Sequence, residues 1–223
     1  MLRSGPVASK EHRPRIYVLA GTNGAGKSSV AGAMLRRAGA DYFNPDEATA
    51  EILANNPGIS MAEANSAAWH QGRRLLERAI AARLDFAFET TLGGRTITAL
   101  LLDAAAAGIE VCVWFAGLSS PELHIARVRA RSARGGHDIP EAVIRERYDQ
   151  SRLNLIALMP RLAELRVFDN SADGDPHTGS PPQPVLILHM IKGRIVEIVD
   201  LPKTPVWARP LVAVAVKLSK RKA

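Results

Sequence analysis

Residues 21–28 read Gly-Thr-Asn-Gly-Ala-Gly-Lys-Ser and match the Gly-x-x-x-x-Gly-Lys-Ser/Thr pattern of a phosphate-binding loop. The loop follows the apolar run 16–20, which predicts a strand, and precedes a predicted helix over 28–38 that stops at Gly39. Glycines let the backbone turn tightly and point its N–H groups at a phosphate, and the helix dipole adds positive potential there. The segment therefore predicts a strand–loop–helix unit that binds a nucleoside triphosphate.

The loop also assigns roles to its own side chains. We expect Lys27 to reach the β- and γ-phosphates of ATP, and the Ser28 hydroxyl to hold Mg²⁺. The predicted nucleotide-binding residues are Gly21, Thr22, Asn23, Gly24, Ala25, Gly26, Lys27, Ser28 and Ser29.

Short apolar runs alternate with helix-like segments along the chain, which predicts a parallel sheet covered by helices on both faces. The expected fold is an α/β P-loop NTPase fold of the nucleotide-kinase type, in three layers, with a mainly parallel five-stranded sheet and a C-terminal β-hairpin. The predicted strands are 16–20, 42–43, 86–88, 110–115 and 165–168, and the hairpin pairs 185–191 with 195–199. Helix starts are predicted at Ser60, Ser120 and Asp138, the first and last as capping boxes.

Length and composition fit one soluble α/β domain. The 223 residues carry 29 Lys and Arg against 22 Asp and Glu, a formal charge of +7. We interpret this excess as a site for polyanionic nucleotides, with nucleic-acid affinity as the alternative. The single cysteine, Cys112, cannot form an internal disulfide and is expected to be a buried core thiol. The sequence shows neither a signal peptide nor a membrane span, so we expect a cytoplasmic protein.

Asn44 and Asp46 follow the second predicted strand, where the carboxyl ends of parallel strands surround the ligand in open α/β folds. If the chain stays extended, both side chains point to one side, toward the γ-phosphate. Asn44 is then a substrate-binding group, and Asp46 can accept a proton from an attacking hydroxyl. The alternative is that Asp46 only caps the helix that begins here.

A second strand end carries Glu89, where a Walker-B-like carboxylate would hold Mg²⁺ or bind the acceptor. Thr91 and Arg95 are candidate acceptor-binding groups, because a hydroxyl and a planar guanidinium both suit a polar or phosphorylated substrate. Structurally, the Gly93-Gly94 pair can also be no more than a turn before the next helix.

An arginine-rich stretch follows, with glycines in its middle. Arg134 precedes Gly135-Gly136, and Arg147 stands thirteen residues further on. Small-molecule kinases close such a segment over the nucleotide, and its arginines neutralise charge on the transferred phosphoryl group. We predict a lid over 132–147 with Arg134 and Arg147 as catalytic groups. A solvated basic helix face is the alternative, and it explains Arg127 and Arg131 well.

Together these motifs resemble the zeta toxin family of P-loop kinases over roughly residues 15–171. The resemblance rests on residues 21–29, 44–47, 88–92 and 134–140. It implies that Lys27 binds phosphate, that Asp46 is the base, and that Arg134 and Arg147 contact the transferred phosphate. It also implies a UDP-N-acetylglucosamine acceptor and a small helical antitoxin.

The chain departs from the zeta toxin pattern at the acceptor motif. The family's Glu-x-Thr-x-Arg motif maps onto Glu89 and Thr91, but its arginine position holds Gly93, with Arg95 two residues later. The nucleotide half of the resemblance therefore carries over, and the sugar-nucleotide specificity does not.

The sequence divides into a flexible basic arm (1–14), a kinase domain (15–171), a loop (172–184), and a C-terminal hairpin with a basic tail (185–223). The preferred function is a Mg²⁺-requiring, ATP-dependent kinase acting on a small molecule, with no membrane partner. Two alternatives remain open. One is a kinase of 5′-hydroxyl nucleic-acid ends, which is the less favoured partner class, and the other is a non-catalytic ATP-binding module.

Overall fold

Seven strands and six α-helices make up the part of the chain that the computed structural model describes, residues 13–27, 30, 42–134, 136, 138–172 and 183–221. The strands are β1 (Arg15–Ala20), β2 (Tyr42–Phe43), β3 (Phe86–Thr90), β4 (Glu110–Gly117), β5 (Glu164–Asp169), β6 (Val185–Ile191) and β7 (Arg194–Ile198). The helices are α1 (Pro45–Asn55), α2 (Met61–Ala82), α3 (Arg95–Ala106), α4 (Pro121–Ser132), α5 (Glu141–Leu158) and α6 (Arg209–Lys220).

All seven strands form one sheet in the order β2-β3-β1-β4-β5-β6-β7. The first five strands of the sequence are parallel, and β6 and β7 join beside β5 as antiparallel strands. The predicted α/β fold and its parallel strands are confirmed. The hairpin differs from the expectation, because it extends the same sheet instead of standing apart from it. On this side of β5, the backbone N–H and C=O groups of Leu165–Val167 would lack hydrogen-bond partners without β6, which pairs with them.

The strand order brings the functional segments to one edge of the sheet. β1 lies between β3 and β4, and β2 lies on the far side of β3, so their carboxyl ends are neighbours. The backbone N–H of Gly21 donates to the carbonyl of Thr90 at 3.2 Å, which ties the phosphate loop to the end of β3. Central strands buried on both faces, such as β4, carry near-continuous apolar sequence.

Of the three predicted helix starts, two are confirmed and one is wrong. Ser60 forms a full capping box with Glu63 at the start of α2, and the Ser120 hydroxyl accepts from the Leu123 N–H at the start of α4. The predicted cap at Asp138 is wrong, because α5 begins after Pro140 and no side chain caps it. A proline at that point fixes φ near the helical value and leaves one fewer N–H to satisfy.

Helix α6 was not predicted, since the sequence suggested only a basic tail there. Its first turn contains Pro210, and Leu211, Val212 and Ala215 bury one face. Lys217 and Lys220 lie in the last turn, where positive charge suits the helix dipole. The β-branched residues of 211–216 favour a strand by local propensity. The segment is nevertheless helical, because a helix buries one apolar face against the sheet and α5.

Several predicted segments lie wholly or mostly outside the described residues. These are the N-terminal arm, most of the helix predicted over 28–38, and most of the loop 172–184. The N–H of Val30 donates to the Gly26 carbonyl at 3.3 Å, which is helical spacing directly after the phosphate loop. Cys112 is buried as expected, and burial raises the pKa of its thiol to about 12. No helix within the described ranges is long and apolar enough to span a membrane.

Gly117 at the end of β4 offers a stability test. A Cβ at this position would lie 2.3 Å from the ring of Trp207, which is buried between β4 and α5 and donates from Nε1 to Asp169 Oδ1 at 3.2 Å. We expect Gly117→Ala to lower the free energy of unfolding by about 2 kcal/mol, because the core must shift to admit the methyl group. Urea unfolding measures it through the midpoint at constant slope.

The matched variant is the double substitution Gly117→Ala with Trp207→Phe. The smaller ring makes room for the methyl group, so the double variant should lose less stability than the sum of the two single variants. Simple additivity of the two losses would contradict the proposed clash.

Candidate active site

The phosphate loop has the backbone shape that its sequence predicts. Gly24 and Gly26 have φ angles of 81° and 73°, which residues with a Cβ rarely adopt. The Ala25 N–H donates to the Thr22 carbonyl at 3.0 Å and closes the turn. Ser28 and Ser29, predicted to bind the nucleotide and Mg²⁺, lie outside the described residues.

Four side chains outside the loop hold it in place. The hydroxyls of Thr22 and Ser151 are 3.2 Å apart, and the amide of Asn170 donates to the Ala25 carbonyl at 2.9 Å. On the other side, Arg147 Nη1 donates to Asn23 Oδ1 at 2.8 Å. His124 Nδ1 lies 2.8 Å from the Asn23 carbonyl oxygen, and burial lowers the pKa of this histidine to about 4, so the neutral ring donates this bond.

Lys27 is the cationic centre of the loop. Its ammonium donates to the Gly21 carbonyl at 3.2 Å. Burial lowers the pKa of Lys27, while the charges of Glu89 and Asp46 oppose that decrease and those of Arg131 and Arg147 add to it. These five side chains therefore share one electrostatic environment, with three cations and two carboxylates around the place where a triphosphate would lie.

Asp46 is near Lys27, but the backbone around it is not extended as predicted. Helix α1 begins at Pro45, and Asn44 is its N-cap, with its side-chain oxygen accepting from the Asp46 and Glu47 N–H groups at 2.9 and 3.5 Å. The capping role considered for Asp46 therefore belongs to Asn44, whose side chain is turned to the helix instead of the acceptor. The Asp46 carboxylate remains half exposed and meets Arg131 Nη1 at 3.2 Å.

Glu89 is buried at the end of β3, with 7% of its surface exposed. It accepts a short hydrogen bond from the Tyr42 hydroxyl. Mg²⁺ in phosphoryl-transfer sites keeps several waters and takes one or two carboxylates besides the phosphates, so Glu89 fits the predicted metal shell. Among the described residues no three His, Cys, Asp or Glu side chains converge on one point.

The lid arginines are arranged differently from the prediction. Arg134 is exposed, and its Nε donates to the Ala130 carbonyl at 3.0 Å on its own helix. Arg131, interpreted from the sequence as part of a solvated basic helix face, instead contacts Asp46. Its Nε and Nη2 are shielded from solvent and have no hydrogen-bond partner among the described residues. Buried guanidinium donors without partners are costly, and an anion between Arg131 and Lys27 would satisfy them.

The other arginines divide between the site and the surrounding structure. Arg147, predicted to be catalytic, packs its stem against Gly93 beside the phosphate loop. Burial lowers the pKa of its guanidinium, which stays protonated at neutral pH. Arg127 is structural in its contacts, since it donates to the carbonyls of Asn170 and Ala172 at 2.8 and 3.0 Å.

Beside the phosphate loop lies a cavity of about 700 Å³ between α1, α2, the end of β3 and the start of α5. Asn23, Asp46, Glu89 and Arg147 belong to its wall, so the cavity and the phosphate loop share residues. Of the two predicted acceptor-binding residues, Thr91 lines the cavity, whereas Arg95 is exposed at the first turn of α3 and does not. Asn44 is not part of the wall either.

Three residues of the site were not singled out from the sequence: Arg131, His124 and Tyr42. Arg131 lies three residues before Arg134, so helical periodicity alone places the two on one face and does not select between them. His124 carries no motif, and its contact with the loop depends on the packing of α4. Tyr42 could have been suspected from its position on the short strand that leads to Asp46.

Comparisons with known proteins agree with this geometry. Residues 16–152, more than half of the chain, match the AAA_33 family, described as an AAA domain. An uncharacterized protein of Haemophilus influenzae (strain ATCC 51907 / DSM 11121 / KW20 / Rd) is 30% identical over 131 residues, which cover 57% of this chain and 88% of the relative.

Solved structures share the fold at low sequence identity. The AvrRxo1-ORF1:ORF2 complex with ATP matches with a TM-score of 0.63 and 17% identity, over 92% of this chain and 64% of that chain. The chain thus spans less than two thirds of that protein. A chain of the PezAT chromosomal toxin–antitoxin system of Streptococcus pneumoniae matches with a TM-score of 0.53 and 13% identity, over 72% of this chain and 69% of that one. The family match and the P-loop kinase-like fold together show that the chain belongs to the AAA_33 family of AAA domains.

Proposed function

We propose that the protein is an ATP-dependent kinase that transfers the γ-phosphate to a hydroxyl of a small molecule. The observation that carries this proposal is the shared wall: Asp46 and Glu89 face both the phosphate-loop lysine and the 700 Å³ cavity. A hydrolase needs room only for water at this point, whereas a cavity of this size fits a second substrate.

The residues take distinct roles in the transfer. Lys27 holds the β- and γ-phosphates, and Asp46 accepts the proton of the attacking hydroxyl. The new bond joins the acceptor oxygen to the γ-phosphorus, and the bond to the bridging oxygen of ADP breaks. Arg131 and Arg147 stabilise the charge on the transferred group without reacting. Arg134 is the alternative to Arg131 as the lid arginine.

We propose Mg²⁺ as the metal, held by Ser28 and, through water or directly, by Glu89. When bound, such an ion neutralises charge on the β- and γ-phosphate oxygens. Tyr42 orients Glu89 through its hydrogen bond.

The resemblance to zeta toxins implies a UDP-N-acetylsugar as one acceptor to test, and the PezAT likeness suggests a small antitoxin as a further proposal. The likeness to AvrRxo1-ORF1, whose structure was determined with ORF2, also favours a protein partner. Co-expression with a small neighbouring gene product, followed by measurement of the molecular mass of the complex, tests the partnership. An unchanged mass of the purified chain would count against it.

The two alternative functions are separable from the kinase by simple measurements. A kinase of nucleic-acid ends should bind short oligonucleotides with strong salt dependence, and equal affinity at low and moderate salt would exclude it. A non-catalytic module should bind ATP without forming ADP or a phosphorylated product.

Asp46→Asn tests the assignment of the base. The amide keeps the shape of the side chain but cannot accept the hydroxyl proton, so we expect kcat for acceptor phosphorylation to fall roughly 10³-fold. ADP release and product formation are measured together, so that transfer is separated from hydrolysis.

The matched control is Glu51→Gln, which removes an exposed carboxylate from the same helix outside the cavity. It should retain the wild-type rate. An Asp46→Asn variant as active as this control would remove Asp46 from the mechanism.

A further inference from the structure

The charged residues of the cavity wall are mostly acidic. Its carboxylates are those of Asp46, Glu89, Asp138 and Glu146, and its guanidinium groups are those of Arg73 and Arg147. Phosphate-binding pockets usually show the reverse, because each phosphate needs cationic or N–H donors. The cavity volume of about 700 Å³ admits either a monosaccharide or a nucleotide sugar, so wall charge discriminates better than size.

The cations of the wall already have partners. Arg73 Nε donates to Glu77 Oε1 at 2.8 Å, and its guanidinium lies 6.0 Å from the Trp69 ring centre. Arg147 is bonded to Asn23 on the phosphate-loop side. Arg73 is thus paired with Glu77 and Trp69, and Arg147 is turned to the phosphate-loop side where the transferred phosphate would lie, so neither guanidinium is placed for a phosphate on the acceptor.

Two of the carboxylates are in the opposite situation. Asp138 and Glu146, at the lid side of the cavity, are exposed and form no hydrogen bond or ion pair with the residues that the structure describes. Asp46 and Glu89 are occupied by Arg131 and Tyr42. Placing a diphosphate beside Asp138 and Glu146 would set like charges against each other, and Arg147, whose charge already interacts with Glu146, would offset only part of that repulsion.

The remaining wall suits a ring that carries hydroxyl groups. Trp69 keeps 42% of its surface exposed and supplies the aromatic surface of the wall, whereas Phe43 and Phe88 also line it but are buried. An aromatic face packs well against the C–H face of a sugar ring. Around it stand short hydroxyl and amide side chains that can pair with sugar hydroxyls: Asn65, Ser66, Thr91 and Thr96.

We propose that the acceptor is a polyhydroxylated ring without phosphate groups, of the sugar or amino-sugar class, with Asp138 and Glu146 selecting against anionic acceptors. The inference rests on the proposed kinase function and specifies its second substrate. It differs from the acceptor that the zeta toxin resemblance implies, since UDP-N-acetylglucosamine carries a diphosphate.

Transfer of labelled γ-phosphate from ATP tests the proposal while the acceptor is still unidentified. Polar metabolites of a bacterial extract are separated on an anion exchanger, and each fraction is incubated with the protein and labelled ATP. We expect labelled product from the unretained fraction, which holds neutral and cationic metabolites. Glucosamine, N-acetylglucosamine and UDP-N-acetylglucosamine form a matched series, in which the first two should have the higher kcat/KM.

The two lid-side carboxylates are tested by the double variant Asp138→Asn, Glu146→Gln. We expect the ratio of kcat/KM for glucosamine over UDP-N-acetylglucosamine to fall about tenfold, mainly through KM. Glu51→Gln, the control outside the cavity, should leave this ratio unchanged.

The outcomes distinguish the two proposals. Product from the retained fraction alone, or a higher kcat/KM for UDP-N-acetylglucosamine, overturns the non-anionic acceptor and leaves the kinase standing. An unchanged ratio in the double variant also overturns the selecting role of Asp138 and Glu146. Absence of product from both fractions, with ATP still bound, overturns the kinase itself.

Discussion

Lys27→Ala should abolish phosphoryl transfer, with kcat lower by about 10³-fold or more, while the protein stays folded. Lys27 is the cation that faces Glu89, Asp46, Arg131 and Arg147 at once, and its loss removes positive charge from the point where the triphosphate binds. The rate of product formation at saturating acceptor measures the effect.

We also expect the same substitution to affect the stability of the folded protein. The pKa of Lys27 is lower in the folded protein than in the unfolded chain, because burial disfavours its charge. At any pH below the pKa of the unfolded chain, this lowering therefore costs folding free energy, and the cost disappears as pH rises through the unfolded-chain value. Without nucleotide, Lys27→Ala should be at least as stable as the wild type, and it should lose the stabilisation by added ATP.

Lys203→Ala is the matched control, because Lys203 is exposed and pairs only with Asp200 among the described residues. It should change neither the rate nor the ATP-induced rise in melting temperature. Wild-type activity in Lys27→Ala would overturn the phosphate-loop assignment, and unfolding of that variant would contradict the stability argument.

The sequence predicted best the features that local chemistry determines. The glycine pattern of 21–28 requires a defined turn between a strand and a helix, so it located the loop from eight residues. Strand ends at Asp46 and Glu89 followed from the apolar runs before them, since parallel strands end at one edge. The structure brings both carboxylates within electrostatic reach of Lys27.

The features that were missed depend on contacts between distant segments. The hairpin 185–198 pairs with β5, and α6 buries its apolar face, only because the sheet offers both an edge and a surface. Asn44 caps α1 because a helix starting at Pro45 leaves N–H groups that a nearby side chain can satisfy. The charge of the cavity wall likewise comes from residues spread between 46 and 147 in the sequence, which no local pattern joins.

The local sequence does not distinguish Arg131 from Arg134 either, because their roles depend on contacts with distant segments, and we expect their substitutions to differ strongly in their effect on kcat. Arg131 lies in the last turn of α4 and Arg134 just after its end. Arg131 meets Asp46 at 3.2 Å and has two shielded nitrogens without partners among the described residues, whereas Arg134 donates to the Ala130 carbonyl of α4. We expect Arg131→Ala to lower kcat about 10³-fold with a smaller change in KM for ATP, on the scale of arginine-finger effects. Arg134→Ala, the matched control three residues away, should lower it less than about threefold, as expected for an exposed charge.

Arg131→Lys separates charge from geometry. A lysine keeps the positive charge but lacks the planar fork that can contact Asp46 and a phosphoryl oxygen together, so we expect it to recover only part of the lost rate. If Arg134→Ala instead proves the more damaging variant, the lid must close by bringing Arg134 inward, and the contact between Arg131 and Asp46 would then belong to the ligand-free state alone. If both variants have equally small effects, this helix face is only a solvated basic surface, and Arg147 is the arginine that acts on the transferred phosphate.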